Sequence, residues 1–136
     1  HTVRGTVRNK AKTEKYQYLL DIAKNVPGTL EIYEADLLNE GSFDEAAKGC
    51  ELIMHTASPF TLRVKDAQKQ LVDPALKGTR NVLNAVNKAG TVKRVVLTSS
   101  VVAMYGDAIE IEEAPTGKLT EDMWNSSASL SYQPYG

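Results

Sequence analysis

Lys93-Arg94-Val95-Val96-Leu97-Thr98-Ser99-Ser100 decides the fold of this chain. A basic pair leads into four apolar or β-branched residues, and three consecutive hydroxyls follow. Gly90 bounds the run upstream and small polar residues bound it downstream. Such a run predicts a fully buried parallel strand. Its hydroxyl-rich end is the carboxyl end, where an open α/β sheet binds ligand. The competing reading is a Ser/Thr-rich strand exit with only local hydrogen bonds.

The sequence on either side gives the strand its setting. Upstream, Asp66 to Lys88 reads as largely helical, with Pro74 as a restart or kink. Leu76, Thr79, Leu83 and Val86 form its apolar stripe, and Gly90 terminates it. Before that helix, Leu52-Ile53-Met54-His55-Thr56 reads as another buried strand, left through Ala57-Ser58-Pro59. Ser42-Phe43-Asp44-Glu45 has the form of a capping box opening a short helix that Gly49 closes. Leu30 to Glu34 alternates as a strand and exits at Asp36-Leu37. Thr13 to Asn25 predicts a helix with Tyr16, Leu19, Leu20 and Ala23 on one face, stopped by Pro27-Gly28. Thr2 to Arg8 predicts the first strand, with Asn9-Lys10 as a turn. Downstream, Ala108 to Pro134 loses periodicity, with a weak helical hint at Glu121 to Trp124. Strands alternating with helical crossovers predict a parallel α/β sheet covered on both faces.

Length and composition narrow the function. The chain has 136 residues, about one domain, with 42% hydrophobic and 24% charged residues and a net charge of −1. That balance gives no electrostatic case for nucleic acid or an anionic membrane. No apolar run reaches the roughly 18 residues of a membrane span. One cysteine, Cys50, forbids an internal disulfide and suits a reducing, cytoplasmic location. Cys50 itself reads as a small buried residue. The chain starts at His1 inside an expected strand and stops at Gly136 without a helix stop, so a fragment is expected.

In a sheet of this kind the chemistry gathers at the strand exits. Four exits offer Arg8, Asp36, Thr56-Ala57-Ser58 and Thr98-Ser99-Ser100. At the first exit, dinucleotide folds that select NAD carry an acid for the ribose 2′-hydroxyl, whereas a basic residue accommodates the 2′-phosphate of NADP. This chain has Arg8, then Lys10, Lys12 and Lys15, with no acid until Glu14. The alternative is a solvated basic face. Asp36 offers an acceptor to an adenine amino group, or caps the following turn. His55 reads as a satisfied core histidine. No clustered His or Cys supports a zinc site, and no Gly-x-Ser-x-Gly elbow supports a hydrolase triad.

His55-Thr56-Ala57-Ser58-Pro59, Asp73-Pro74-Ala75-Leu76-Lys77-Gly78-Thr79 and Arg94-Val95-Val96-Leu97-Thr98-Ser99-Ser100 together resemble the extended short-chain dehydrogenase/reductases. Val3 to Arg8 and Ala35-Asp36-Leu37 fit the same pattern. Within that superfamily the chain is most similar to the dihydroflavonol 4-reductase, cinnamoyl-CoA reductase and yeast methylglyoxal reductase group. The resemblance spans nearly the whole chain in order and spacing. It implies a Rossmann-type doubly wound sheet, with residues 1–136 as the central part of a single NADP-binding domain. It implies NADP(H) as cofactor and a small-molecule carbonyl as substrate. Arg8 and Lys15 match residues that hold the 2′-phosphate, and Asp36 and Leu37 match adenine contacts. Thr56, Ala57 and Ser58 match the loop along the cofactor riboses, and Thr98 lies behind the nicotinamide. Ser100 matches the serine that hydrogen-bonds the substrate carbonyl.

The family's proton donor is the tyrosine of a Tyr-x-x-x-Lys pair. Tyr132 would require lysine at 136, where Gly136 stands, so the resemblance assigns Tyr135, with its lysine beyond the chain. The Gly-rich first turn, the active-site lysine and the C-terminal substrate region are expected to be missing from this stretch. A polypeptide of these residues alone is therefore expected to fold poorly. Met104 and Tyr105 stand near the site as pocket-lining or merely packed residues. A nucleotide-sugar epimerase or dehydratase of the same fold, and a non-catalytic NADP-binding sensor, are the alternatives.

Overall fold

The computed structural model describes residues 1–59, 61, 64–114 and 116–134. Among these residues four strands and four α-helices form, alternating as expected up to the fourth strand: β1 (Thr2–Val7), α1 (Gln17–Lys24), β2 (Thr29–Glu34), α2 (Asp44–Ala47), β3 (Leu52–His55), α3 (Asp73–Ala89), β4 (Arg94–Leu97) and then α4 (Ile109–Glu112). β1 and β2 run parallel in the register Val3↔Leu30, Gly5↔Ile32, Val7↔Glu34. The strands form two ladders, β1–β2 and β3–β4. In the doubly wound order 3-2-1-4-5-6 strands two and three are neighbours, as are four and five, and the two ladders fit those pairings. No helix among the described residues is long and apolar enough to cross a membrane.

The chain divides into two compact units, His1–His55 with Lys77–Val96, and Thr56–Leu76 with Leu97–Gly136. In the first unit Arg4 of β1 joins three elements. Its Nε meets Glu31 Oε2 of β2 at 3.1 Å, and its guanidinium lies 5.4 Å from the centroid of the Tyr33 ring. It also donates to the Glu45, Ala46 and Lys48 carbonyls at the end of α2. Those carbonyls have no intrahelical partners, and a cation suits them. Gly49 then leaves the helix at φ +75°, a conformation that costs other residues a Cβ clash.

Several expectations are corrected. β4 forms over Arg94–Leu97, but it is not buried: Val96 and Leu97 are exposed, as are Leu52 and Met54 on β3 and Val3 on β1. No described element covers those faces. The core is small and rich in alanine: Tyr16, Ala35, Ala46, Ala47, Val82 and Ala85 in the first unit, Ala67 and Leu71 in the second. The capping box does not form. α2 starts at Asp44 without a side-chain cap, because the Ser42 hydroxyl instead donates to Asp36 O and accepts from Asp36 N. Cys50 is half-buried, its thiol against Ala46 O.

α3 presents a different stripe from the one expected. Leu76 and Leu83 are exposed, while Gly78, Asn81, Val82 and Ala85 are buried. This is still i, i+3, i+4, i+7, shifted around the helix. Small residues win because the helix sits close: a Cβ on Gly78 would lie 2.9 Å from Leu37 Cβ. Near Pro74 the helix changes character without breaking: a π-helical turn at Gln68–Val72 runs directly into α3, with Asp73 helical at the junction. The helix expected from Thr13 begins as a 3-10 turn, Thr13–Lys15, before α1. The polar C-terminal stretch places its short helix at Ile109–Glu112, not at Glu121 to Trp124, which is a turn.

Candidate cofactor cleft and catalytic turn

The site is built from the exits of β1 and β2. Ala35 N donates to Val7 O at 2.9 Å, so the ladder continues one residue past Val7. Arg8 and Asp36 consequently leave the sheet side by side. A tight turn follows Arg8. Asn9 Oδ1 accepts from Ala11 N at 2.8 Å, an Asx-type turn. Lys12 N closes on Asn9 O at 3.3 Å. The turn is anchored at both ends: Lys10 N donates to Glu34 Oε2 at 2.9 Å, and the hydroxyl of the buried Tyr16 donates to Lys10 O at 2.7 Å. The result is a cleft of about 540 Å³ lined by Val7, Arg8, Asn9, Lys12, Lys15, Tyr16 and Asp36.

Three cations and one carboxylate face this cleft. None of Arg8, Lys12 and Lys15 takes part in an ion pair among the described residues. Their charge is therefore available to an anion, and a guanidinium suits phosphate by its forked donors. Asp36 is held firmly. Its Oδ1 accepts from Leu38 N at 2.8 Å. Its backbone is tied to Ser42, and Asn81 on α3 donates to the Asp36, Leu37 and Asn39 carbonyls. Asn81 Oδ1 in turn accepts from Gly41 N at 2.9 Å. One buried amide thus fixes the whole 36–41 loop. A cationic mouth beside an anchored acceptor fits an adenosine carrying a phosphate monoester.

Of the expected residues, Arg8, Lys15 and Asp36 converge on the cleft. Leu37 is engaged elsewhere, packed against Gly78. Thr56, Ala57 and Ser58 form an exposed irregular segment after β3, and Thr98 is exposed at the end of β4. Ser100 is extended (φ −135°, ψ 152°) and caps a 3-10 turn, Val101–Ala103, its Oγ accepting from Val102 N at 3.4 Å. The hydroxyl makes this local bond and lies exposed at the strand exit. Tyr135 lies outside the described residues. His55 is 5% exposed, and burial pushes its pKa down, favouring neutral imidazole.

Sequence reasoning did not assign Asn81, Asn9 and Tyr16 to the site. For Asn81 a signal existed, since it shares a helical face with Gly78, Val82 and Ala85. An amide on an otherwise apolar stripe needs buried partners.

The sequence pattern described as the 3-beta hydroxysteroid dehydrogenase/isomerase family matches residues 6–133. Cinnamoyl-CoA reductase CAD2 of Medicago truncatula is 50% identical over 106 residues, 76% of this chain and 32% of its own length. Dihydroflavonol 4-reductase of Hordeum vulgare is 38% identical over 128 residues, 92% of this chain and 34% of its own. The solved structure of Gre2 from Candida albicans, in complex with NADPH, matches with a TM-score of 0.72 at 33% identity, over 98% of this chain and 40% of that one. The chain spans about a third of the length of these curated relatives. The fold class is Rossmann-type α/β.

Proposed function

The chain belongs to the 3-beta hydroxysteroid dehydrogenase/isomerase family, and from that membership we propose that the protein is an NADPH-dependent reductase of aldehydes or ketones. In this reading residues 1–136 are the central part of one NADP-binding domain. The observation that supports it most is the cleft at the β1 exit, where Arg8, Lys12 and Lys15 stand with Asp36. Arg8 and Lys15 would hold the 2′-phosphate. Asp36 would accept from the adenine amino group, and Leu37, packed on Gly78 outside the cleft, would brace Asp36 from behind. Thr56, Ala57, Ser58 and Thr98 would follow the rest of the cofactor. Relatives support the same reading: cinnamoyl-CoA and dihydroflavonol 4-reductases, and a Gre2 solved with NADPH.

NADPH, when bound, supplies the hydride that the carbonyl carbon receives. The chain's own work is at the oxygen. Ser100 Oγ already accepts from Val102 N, which leaves its hydrogen to donate to the substrate carbonyl. That bond strengthens as negative charge builds on the oxygen. Tyr135 would then give its phenolic proton to the alkoxide. A free tyrosine has a pKa of about 10, so it needs a neighbouring cation to act near neutrality.

The test is NADPH oxidation by the complete protein against a panel of aliphatic and aromatic aldehydes and ketones, with NADH in parallel. NADPH is expected to be the better donor, and Tyr135→Phe to abolish turnover while NADPH still binds. Equal use of NADH, or unchanged turnover in Tyr135→Phe, would reject the assignment.

A further inference from the structure

The second unit contains a polar hub that no step above uses. Asn125 sits between two stretches of chain. Its Nδ2 donates to Val102 O at 2.7 Å, and its backbone N donates to Ala103 O at 2.9 Å. Its Oδ1 accepts from Ser127 N at 3.1 Å, Ser127 Oγ at 3.3 Å and Ala128 N at 2.8 Å. The two carbonyls it holds belong to the turn Val101–Ala103 that Ser100 caps. A turn of three residues has little stability of its own, since its last carbonyls lack partners. Asn125 supplies donors to two of them. Its amide oxygen locks its own segment, so the hold is two-sided.

A second tie lies beside the first. Tyr132 Oη donates to the Asp107 carboxylate at 3.0 and 3.1 Å, and Gln133 Nε2 donates to Asp107 Oδ1 at 3.1 Å. A Cβ on Gly106 would lie 2.3 Å from Ser127 Oγ, so Gly106 permits the close approach of these stretches. The connection that follows Ser100 is thus fastened twice to the segment 125–133.

We propose that Asn125 is a positioning residue for Ser100: by gripping the turn that Ser100 caps, it keeps the hydroxyl in the orientation that polarises the carbonyl. This role rests on the reductase reading above. The amide is suited to it because one end donates while the other accepts. A carboxylate of the same shape keeps the acceptor for Ser127 and Ala128 but sets an oxygen against Val102 O. Asn125→Asp therefore separates the hold on the turn from the order of the 125–128 segment.

The experiment compares wild type, Asn125→Asp, Asn125→Ala, Ser100→Ala and Ser100→Ala/Asn125→Asp in the complete protein. Asn125→Asp is expected to lower kcat about tenfold with KM for NADPH within about twofold, the pattern of lost transition-state stabilisation. Amide hydrogen exchange at Val102 to Tyr105 is expected to quicken while the melting temperature holds within a few degrees. In the Ser100→Ala background the same substitution is expected to cost less than about twofold, because residues acting as a unit are not additive. Should Asn125→Ala not fold, Asn125→Asp still gives each readout. An unchanged kcat in Asn125→Asp, or an equal loss with Ser100 already removed, overturns the role while leaving the reductase reading intact. Wild-type protein that oxidises no NADPH with any carbonyl overturns the reading, and this role with it.

Discussion

Replacing Arg8 removes the one guanidinium among the cations that line the cleft, and with it the forked donors that a phosphate prefers. A charge-assisted hydrogen bond contributes about 1.5–3 kcal/mol, so Arg8→Ala is expected to raise KM for NADPH about 10- to 100-fold. KM for NADH, which lacks the 2′-phosphate, should change little; steady-state kinetics with both cofactors reads this directly. His55 gives a pH dependence of stability. Burial lowers its pKa in the folded state below the ordinary value of about 6.5. The unfolded chain therefore binds the proton first as pH falls. Its contribution to stability is complete above about pH 6.5 and is lost as the pH drops from there towards the folded-state pKa. In the complete protein the melting temperature should be lower at pH 5.5 than at pH 7.5 for this reason, and His55→Gln should narrow the difference.

α3 is the element that fixes the Asp36 side of the cleft, and it does so through a close approach. Gly78→Ala would gain about 1 kcal/mol of helix propensity. Against this, the new Cβ would stand 2.9 Å from Leu37 Cβ and 3.0 Å from Leu37 Cδ2, and overpacking of this kind costs about 1–3 kcal/mol. The expected result is a net loss of stability in urea titration, with weaker NADPH binding because Leu37 adjoins Asp36. Asn81→Ala tests the same element by chemistry rather than volume. It strands the Leu37 carbonyl and the Gly41 amide, which Asn81 meets at 3.2 and 2.9 Å, whereas the Asn39 carbonyl keeps its bond from Ser42 N. A loss of about 1–3 kcal/mol is expected from such unpaired, half-buried groups, measured by the same titration of the complete protein.

Across the molecule, apolar surface and its cover do not match. Val3 is 59% exposed, Met54 67% and Leu97 56%, all on strands of a fold class that covers both faces of its sheet. The buried apolar residues are mostly alanines, which bring little apolar area out of water. A polypeptide limited to residues 1–136 is accordingly expected to show no cooperative heat-capacity peak in calorimetry and to bind a hydrophobic dye. A sharp two-state transition would contradict this.

What the sequence determined by itself was the order of elements, their stops, and the basic character of the first strand exit. These signals are local: apolar runs and glycines such as Gly49 and Gly90 act within a turn or two of themselves. The resemblance in the three quoted motifs added the family. Tertiary structure decided which face of α3 is buried, that Ser42 ties Asp36 rather than capping α2, and that Lys12 joins Arg8 and Lys15 around one cleft. It also decided what Asn81 and Asn125 do. Each of these depends on a partner distant in sequence, about 40 residues away for Asn81 and about 20 for Asn125. No periodicity within a single element encodes such a partner. Burial is a property of two surfaces meeting, and a strand as apolar as Val95-Val96-Leu97 is buried only where something lies against it.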